Sequence, residues 1–159
     1  MALRHCAAFV PGVFSLPPQL LARAQLSWRQ QKQAPLVSQL QRTVYHAFRP
    51  WVKVDHVELE YRSAAENFSS VDMLVRHRGA ALALEVDGPW HFTANQPYKR
   101  LGSTLLRDRL LAAEGFTVVS VPFYEWEALT SNQARGAYLQ AKLDAAADAA
   151  AAGGRRRAG

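Results

Sequence analysis

The sequence has 159 residues, of which 49% are hydrophobic and 20% are charged, with a net charge of +6. This is the composition of an ordinary globular chain, long enough for one domain with its own core, so a fully disordered or fibrous protein is excluded. The single cysteine, Cys6, excludes a disulfide framework and zinc sites built from cysteine pairs. No apolar run reaches the roughly 18 residues of a membrane span.

The positive charge is concentrated at the two ends of the chain. Residues 1–54 contain seven Lys and Arg and no acid, residues 55–152 contain nine basic and thirteen acidic residues, and three arginines follow at 155–157. The basic start is typical of an organelle-targeting segment. It also fits the end of a preceding RNA-binding helical region, or a solvated basic arm.

Changes in composition predict three zones. Residues 1–37 form a basic N-terminal arm interrupted by prolines, with a helix expected over Gln19–Gln33. Residues 38–143 carry the regular patterning of a folded domain. Residues 144–159 are rich in alanine and then arginine, which predicts a frayed helix end and a flexible tail.

The first half of the domain begins with a helix. Ser38 and Gln41 have the spacing of a capping box, and Pro50 is expected to stop the helix. A strand with mixed faces is predicted over 51–61. The next strand, 69–76, alternates so that Val71, Met73 and Val75 should share one face.

The second half contains the most apolar strand, 80–86, joined to the strand before it by a turn at Arg78-Gly79. A helix is predicted over 103–114 with Gly115 after its end, then a short strand over 116–121 and a last helix capped by Ser131. The order of helix, three strands, helix, strand and helix predicts an α/β fold with a mixed sheet flanked by helices.

Acidic residues at one end of the apolar strand are the first candidate site. A hairpin centred on Arg78-Gly79 sets Asp72 opposite Glu85, and a period of two puts Asp87 on the same face as Glu85. Like charges this close repel each other unless a cation or a proton intervenes. Asp72, Glu85 and Asp87 are therefore candidate Mg²⁺ ligands, and His91 is a candidate for proton transfer or phosphate contact.

Several separated motifs resemble the RAP domain, a family found at the carboxyl ends of organellar RNA-metabolism proteins such as FAST-kinase-like and octotricopeptide-repeat proteins. The resemblance covers about residues 38–143. The motifs are Leu84-Glu85-Val86-Asp87-Gly88-Pro89-Trp90-His91-Phe92, Gly102-Ser103-Thr104, the run from Arg107 to Leu111, the run from Gly115 to Pro122, and Glu125-Trp126.

The resemblance implies a restriction-endonuclease-like, PD-(D/E)XK core. In that pattern Asp72 and Glu85 would be the two metal-binding acids, and the next catalytic position is normally a lysine. Here this position is Asp87, which cannot supply a positive charge, so Arg107 is the candidate substitute.

Aromatic and basic side chains around the following loop are candidate RNA contacts, because RNA readers stack bases on rings and neutralise phosphates with nearby cations. One of the two aromatic residues nearest the strand, Trp90 or Phe92, is expected to belong to the core instead. The candidates are Trp90, Phe92, Tyr98, Lys99, Arg100, Arg107 and Arg109.

Three functions follow as hypotheses. The first is an RNA-binding module in organellar RNA processing, stability or translation, located in the mitochondrion or chloroplast. The second is a Mg²⁺-dependent endoribonuclease that uses the three acids with His91 and Arg107. The third is a protein-interaction module on a nuclease-like scaffold, with partners in an organellar ribonucleoprotein; the acidic body favours this one.

Overall fold

A computed structural model describes residues 37–62 and 70–157, together with Pro17, Gln19, Leu20 and Arg23. The chain divides into two units, residues 1–36 and residues 37–159. All elements below belong to the second unit. The helix predicted over Gln19–Gln33 lies almost entirely outside the described residues.

The order of elements in the domain agrees with the predicted order. A mixed four-stranded sheet is combined with helices, which confirms the α/β class. The elements are α1 (Gln39–Trp51), β1 (His56–Arg62), β2 (Ser70–His77), β3 (Ala80–Asp87), a 3₁₀ turn (Pro89–His91), α2 (Gly102–Ala113), β4 (Thr117–Pro122), α3 (Phe123–Glu127) and α4 (Asn132–Arg157).

Helix α1 begins with the predicted capping box. The Ser38 hydroxyl accepts a hydrogen bond from the Gln41 backbone N–H, and the Gln41 side chain accepts one from the Ser38 N–H. Pro50 does not end the helix at once, because the N–H of Val52 still reaches the Phe48 carbonyl. The strand predicted from residue 51 was therefore wrong at its start, and β1 begins at His56.

The sheet has the strand order β1-β2-β3-β4, with β1, β2 and β3 antiparallel in turn and β4 parallel to β3. Arg78 and Gly79 both have positive φ, 50° and 77°, as a two-residue hairpin turn with the twist of the sheet requires. The β2–β3 register, with Met73 opposite Leu84, is the predicted one.

The β1–β2 pairing is interrupted near its end. Glu60 and Asp72 are missing from the ladder, and Glu60 has a positive φ of 54°. Beyond this break Val71 packs with Ala83 and Leu111, whereas Met73 packs in the main core. The prediction that Val71 shares a face with Met73 and Val75 was wrong, because simple alternation does not continue through the break.

The main core lies between the sheet and the helices α1 and α4. Trp126 is 1% exposed there, and its indole N–H donates to the Thr43 hydroxyl, so this residue has a structural role. His77 is also buried, and one of its ring nitrogens lies 2.6 Å from a carboxylate oxygen of Asp144 in α4. Ser131 caps α4 as predicted, and this helix continues through the alanine-rich run of the expected tail, with Ala147 buried.

No helix in the described part of the chain is long and apolar enough to cross a membrane.

Candidate functional site

The predicted acids meet at the carboxyl end of β3. Glu85 and Asp87 are 3% and 1% exposed. Asp72 lies one residue beyond the pair of Met73 and Leu84, where the β2–β3 ladder ends. Its Oδ2 accepts a hydrogen bond of 2.8 Å from the Val86 backbone N–H. One oxygen of Asp72 thus takes the place of a backbone acceptor and ties the two strand ends together.

Glu85 is held by Arg107 of α2. Nε of Arg107 lies 2.8 Å from Oε2 and Nη2 lies 3.1 Å from Oε1, while Nη2 also donates to the carbonyl of Ser70 at 2.8 Å. Burial raises the pKa of Glu85 to about 8, opposed by the charge and hydrogen bonds of Arg107 and assisted by repulsion from Asp72. Burial likewise raises the pKa of Asp72. Near neutral pH the negative charge of this cluster is therefore reduced by a proton that Glu85 retains and compensated by the positive charge of Arg107.

Asp87 has three partners of its own. Its Oδ2 accepts hydrogen bonds from Arg100 at 3.0 Å and from the Ser120 hydroxyl at 2.5 Å, and its Oδ1 lies 3.3 Å from Nδ1 of His91. Arg100 continues the network, because its guanidinium also binds Asp108 of α2. Two buried acids of β3 are thus each joined to an arginine that arrives from the loop or helix after the strand.

His91 lies at the edge of this network. Its side chain is 39% exposed, and Nδ1 is 3.3 Å from both Asp87 Oδ1 and the Thr104 hydroxyl. The contacts orient the ring while leaving part of it accessible to solvent.

The three acids do not fit a divalent metal ion as they stand. A Mg²⁺ site needs several oxygens that point to one position and are free of other charges. Here Arg107 covers both oxygens of Glu85, Asp87 is bonded at both oxygens, and Asp72 uses one for Val86. Within the described residues no group of three His, Cys, Asp or Glu is arranged to hold a metal.

Of the predicted aromatic contacts, Trp90 differs from the other two. It is 90% exposed in the 3₁₀ turn, whereas Phe92 is 5% exposed. Phe92 and Tyr98 pack with Phe123 and Tyr124 in a cluster of rings whose centroids lie 5.1–6.4 Å apart. Phe92 is thus the core member of the pair, as expected of one of them.

The predicted basic contacts also separate into two groups. Arg100 and Arg107 are committed to carboxyl groups and face inward. Lys99 and Arg109 are exposed. The sequence could not distinguish these groups, because each partner acid is distant in sequence or indistinguishable from a solvated one.

Helix α2 turns a charged side toward the sheet. Its buried residues are Thr104 and Leu111, whereas Leu105 and Leu106 are exposed, as is Leu101 before the helix. Leu106, Leu110 and Ala113, which recur at helical spacing, therefore do not form the buried face of the helix. The sequence analysis also missed Thr104, Asp108 and Ser120; a polar Ser120 within a β-branched strand was the available signal.

Comparisons with known proteins agree with the motifs. Residues 84–142 match the family model of the RAP domain. The human FAST kinase domain-containing protein 4 is 49% identical over 43 residues, 27% of this chain and 7% of that protein. The chloroplastic RAP domain-containing protein of Oryza sativa subsp. japonica is 41% identical over 59 residues, 37% of this chain and 9% of that protein.

The chain thus spans less than a tenth of the length of either relative. The family match begins at Leu84, so it contains Glu85, Asp87, Trp90 and both inward arginines but not Asp72. The resemblance predicted from the motifs is confirmed over this range, since residues 84–142 of this chain match the RAP domain family.

Proposed function

We propose that this domain binds single-stranded RNA and acts in organellar RNA processing, stability or translation. The observation that carries the proposal is Trp90, a large aromatic side chain that is 90% exposed. Folded chains seldom leave a tryptophan so open without a use for it. Its indole face is available for stacking on an unpaired base.

The turn that carries Trp90 is held from both sides, which favours a binding role over an accidental exposure. Phe92 forms a β-bridge with Arg100, and the N–H groups of Thr93 and Leu101 donate to the carbonyls of Lys99 and His91 at 2.8 and 2.9 Å. Behind the turn, Asp87 binds Arg100 and contacts His91. Because the backbone of the turn is already fixed, less conformational entropy is lost when a base stacks on Trp90.

Exposed cations lie in the same part of the sequence. Lys99 belongs to the loop that returns to the turn, and Arg109 belongs to the outer side of α2. Contacts between such cations and RNA phosphates contribute affinity that decreases as the salt concentration rises. The affinity contributed by base stacking depends less on salt.

The endoribonuclease alternative is not favoured by the site geometry. Asp87 occupies the lysine position of the PD-(D/E)XK pattern, and the arginines cover the acids that would bind Mg²⁺. The order of helix, three strands, helix and strand is compatible with such a core, but the positive charge beside the acids comes from Arg100 and Arg107.

The organellar setting rests on the relatives. One of them is named a chloroplastic RAP domain-containing protein. The basic first 54 residues are consistent with a targeting segment, although most of them lie outside the described residues.

The test compares two exposed tryptophans. Trp90→Ala should weaken binding of the full chain to an unstructured oligonucleotide by about 5- to 150-fold, the equivalent of about 1–3 kcal/mol for one stacked base. Trp51→Ala, which removes a 46% exposed tryptophan from the end of α1, should leave most of the affinity.

RNA binding that is unchanged by Trp90→Ala, or absent in the wild-type chain, would contradict the proposal. Capture of a protein by the Trp90 surface, with no RNA affinity, would favour the protein-interaction alternative. The exposed Leu101, Leu105 and Leu106 would then belong to that interface.

A further inference from the structure

A second group of basic residues lies on the outer side of α1. Arg42, His46 and Arg49 follow one another at spacings of four and three residues, and all three are exposed. Residues at these spacings share one face of a helix. We call these three residues the α1 basic face; the helix contains no acid at any position.

The two arginines of this face have no carboxyl partner. Within the described residues neither Arg42 nor Arg49 takes part in an ion pair or a side-chain hydrogen bond. By contrast, Arg78 at the β2–β3 turn is paired with Asp144 and Asp148 at 3.1 and 3.3 Å. The charges of the α1 basic face are thus available to an anion in solution.

A pocket opens beside this face, between the end of α1 and the start of β1. Its volume is about 340 Å³, and Arg49 is one of its lining residues. Half-buried Tyr45 supplies aromatic surface above the buried Phe48, and Asp55 and His56 supply polar groups to the lining. A volume of this order is sufficient for a small planar ligand.

The lining has the chemistry that an unpaired nucleobase requires. The ring of Tyr45 can stack on a base, the Asp55 carboxylate can accept hydrogen bonds from its amino and imino groups, and Arg49 can bind the phosphate. The pocket therefore fits a nucleotide better than an apolar ligand.

This pocket lies at the opposite end of the sheet from Trp90. Strands β1 and β3 run in the same direction, since each is antiparallel to β2. The pocket is at the start of β1, whereas Trp90 follows the end of β3. A strand of eight residues separates the two ends by roughly 25 Å.

We propose that the α1 basic face and its pocket form a second RNA contact, which takes one unpaired base and its flanking phosphates. The inference rests on the proposed RNA-binding function and extends it. One single strand would contact Trp90 at one end of the sheet and the pocket with Arg49 at the other, with Arg42 two helical turns away from Arg49 along α1.

The test measures affinity for unstructured RNA across a range of salt concentrations. Each phosphate contact on a single strand contributes about 0.7 to the slope of log affinity against log salt. The double variant Arg42→Gln/Arg49→Gln should therefore lower the magnitude of the slope by about 1.4. Both side chains are exposed, so the fold should be preserved, and circular dichroism checks this.

Arg78→Gln is the matched control, because it removes the same charge from a side chain that two aspartates already neutralise. It should leave the slope unchanged. Oligonucleotide length gives a second readout: lengthening from about 4 to about 12 nucleotides should increase the affinity of the wild-type chain more than that of the double variant.

The possible failures are distinguishable. If the double variant keeps the wild-type slope and length dependence while Trp90→Ala still weakens binding, the second contact is refuted and the proposed function stands. If the wild-type chain has no affinity for RNA, both are refuted.

Discussion

The carboxyl end of β3 and the outer side of α1 use arginine in opposite ways. At the end of β3, Arg100 and Arg107 are bound to Asp87, Asp108 and Glu85, whereas Arg42 and Arg49 on α1 have no carboxyl partner among the described residues. The difference shows that a count of basic residues does not locate a nucleic-acid surface. What matters is which charges remain uncompensated in the folded chain.

The reason for the difference is burial. An acid in the sheet interior must find a partner or keep its proton, since an isolated charge in a medium of low polarity is costly. The acids of β3 therefore draw in the arginines of the following loop and of α2. Helix α1 buries its opposite side, so its cations remain in water and need no partner.

The largest expected effect comes from removing an acid at the carboxyl end of β3, where the charges are paired. Asp87→Ala should lower the free energy of unfolding by about 3 kcal/mol, because a buried partner of Arg100, His91 and Ser120 is removed. Urea denaturation measures this loss. Asp148→Ala is the control, since this exposed acid pairs with Arg78 at the surface and should cost about 0.5 kcal/mol or less. Equal losses in the two variants would contradict the account.

A second prediction concerns pH. Because the pKa of Glu85 is raised to about 8, the folded chain keeps a proton that the unfolded chain releases near pH 4.5. The contribution of this group is fully present below pH 4.5 and declines as the pH rises to about 8. Glu85→Gln should make the unfolding free energy less dependent on pH in this window by an amount on the order of a few kcal/mol. An unchanged pH profile would show that Glu85 ionises normally.

A third prediction tests how α1 is held in place. A Cβ at Gly136 of α4 would lie 2.2 Å from the Cβ of Trp51, so Gly136→Ala should destabilise the fold by about 1–3 kcal/mol. Gly153 of the same helix has open space around it, and Gly153→Ala should be neutral or stabilise by up to about 1 kcal/mol. Thermal unfolding of both variants distinguishes close packing from helix propensity; a stable Gly136→Ala would refute the contact.

The smallest effect is expected at Lys99. This exposed cation lies near Trp90 in the return loop, and Lys99→Gln should reduce the salt slope of RNA binding by about 0.7 without affecting stability. A titration at several salt concentrations measures it. If the salt slope of Lys99→Gln equals that of the wild-type chain, Lys99 does not contact a phosphate, and stacking on Trp90 is the contact that remains there.

Much of the fold could be predicted from local signals. The capping box at Ser38, the Arg78-Gly79 turn and Gly115 each fix a boundary by backbone chemistry within a few residues. The hairpin register placed Asp72 next to Glu85 correctly. The break at Glu60 was not predictable from alternation, because it depends on a positive φ that glutamate seldom adopts.

The site was predictable in its members but not in their connections. The acids and arginines were all identified, yet an arginine that binds a phosphate and one that binds a buried acid are the same letter in a sequence. Only the packing of α2 against the sheet directs Arg107 to Glu85. Trp90 and Phe92 likewise separate into an exposed and a buried ring only after the turn at Pro89 has formed.

Ultraviolet crosslinking of the full chain to an unstructured oligouridylate, with the crosslinked residues mapped by mass spectrometry, would locate the RNA on the surface of the domain. We expect crosslinks at Trp90 and, for longer oligonucleotides, at Tyr45 beside the α1 basic face, with none at the buried Trp126. Crosslinks confined to other residues, or no crosslinks at all, would contradict the proposed RNA contacts.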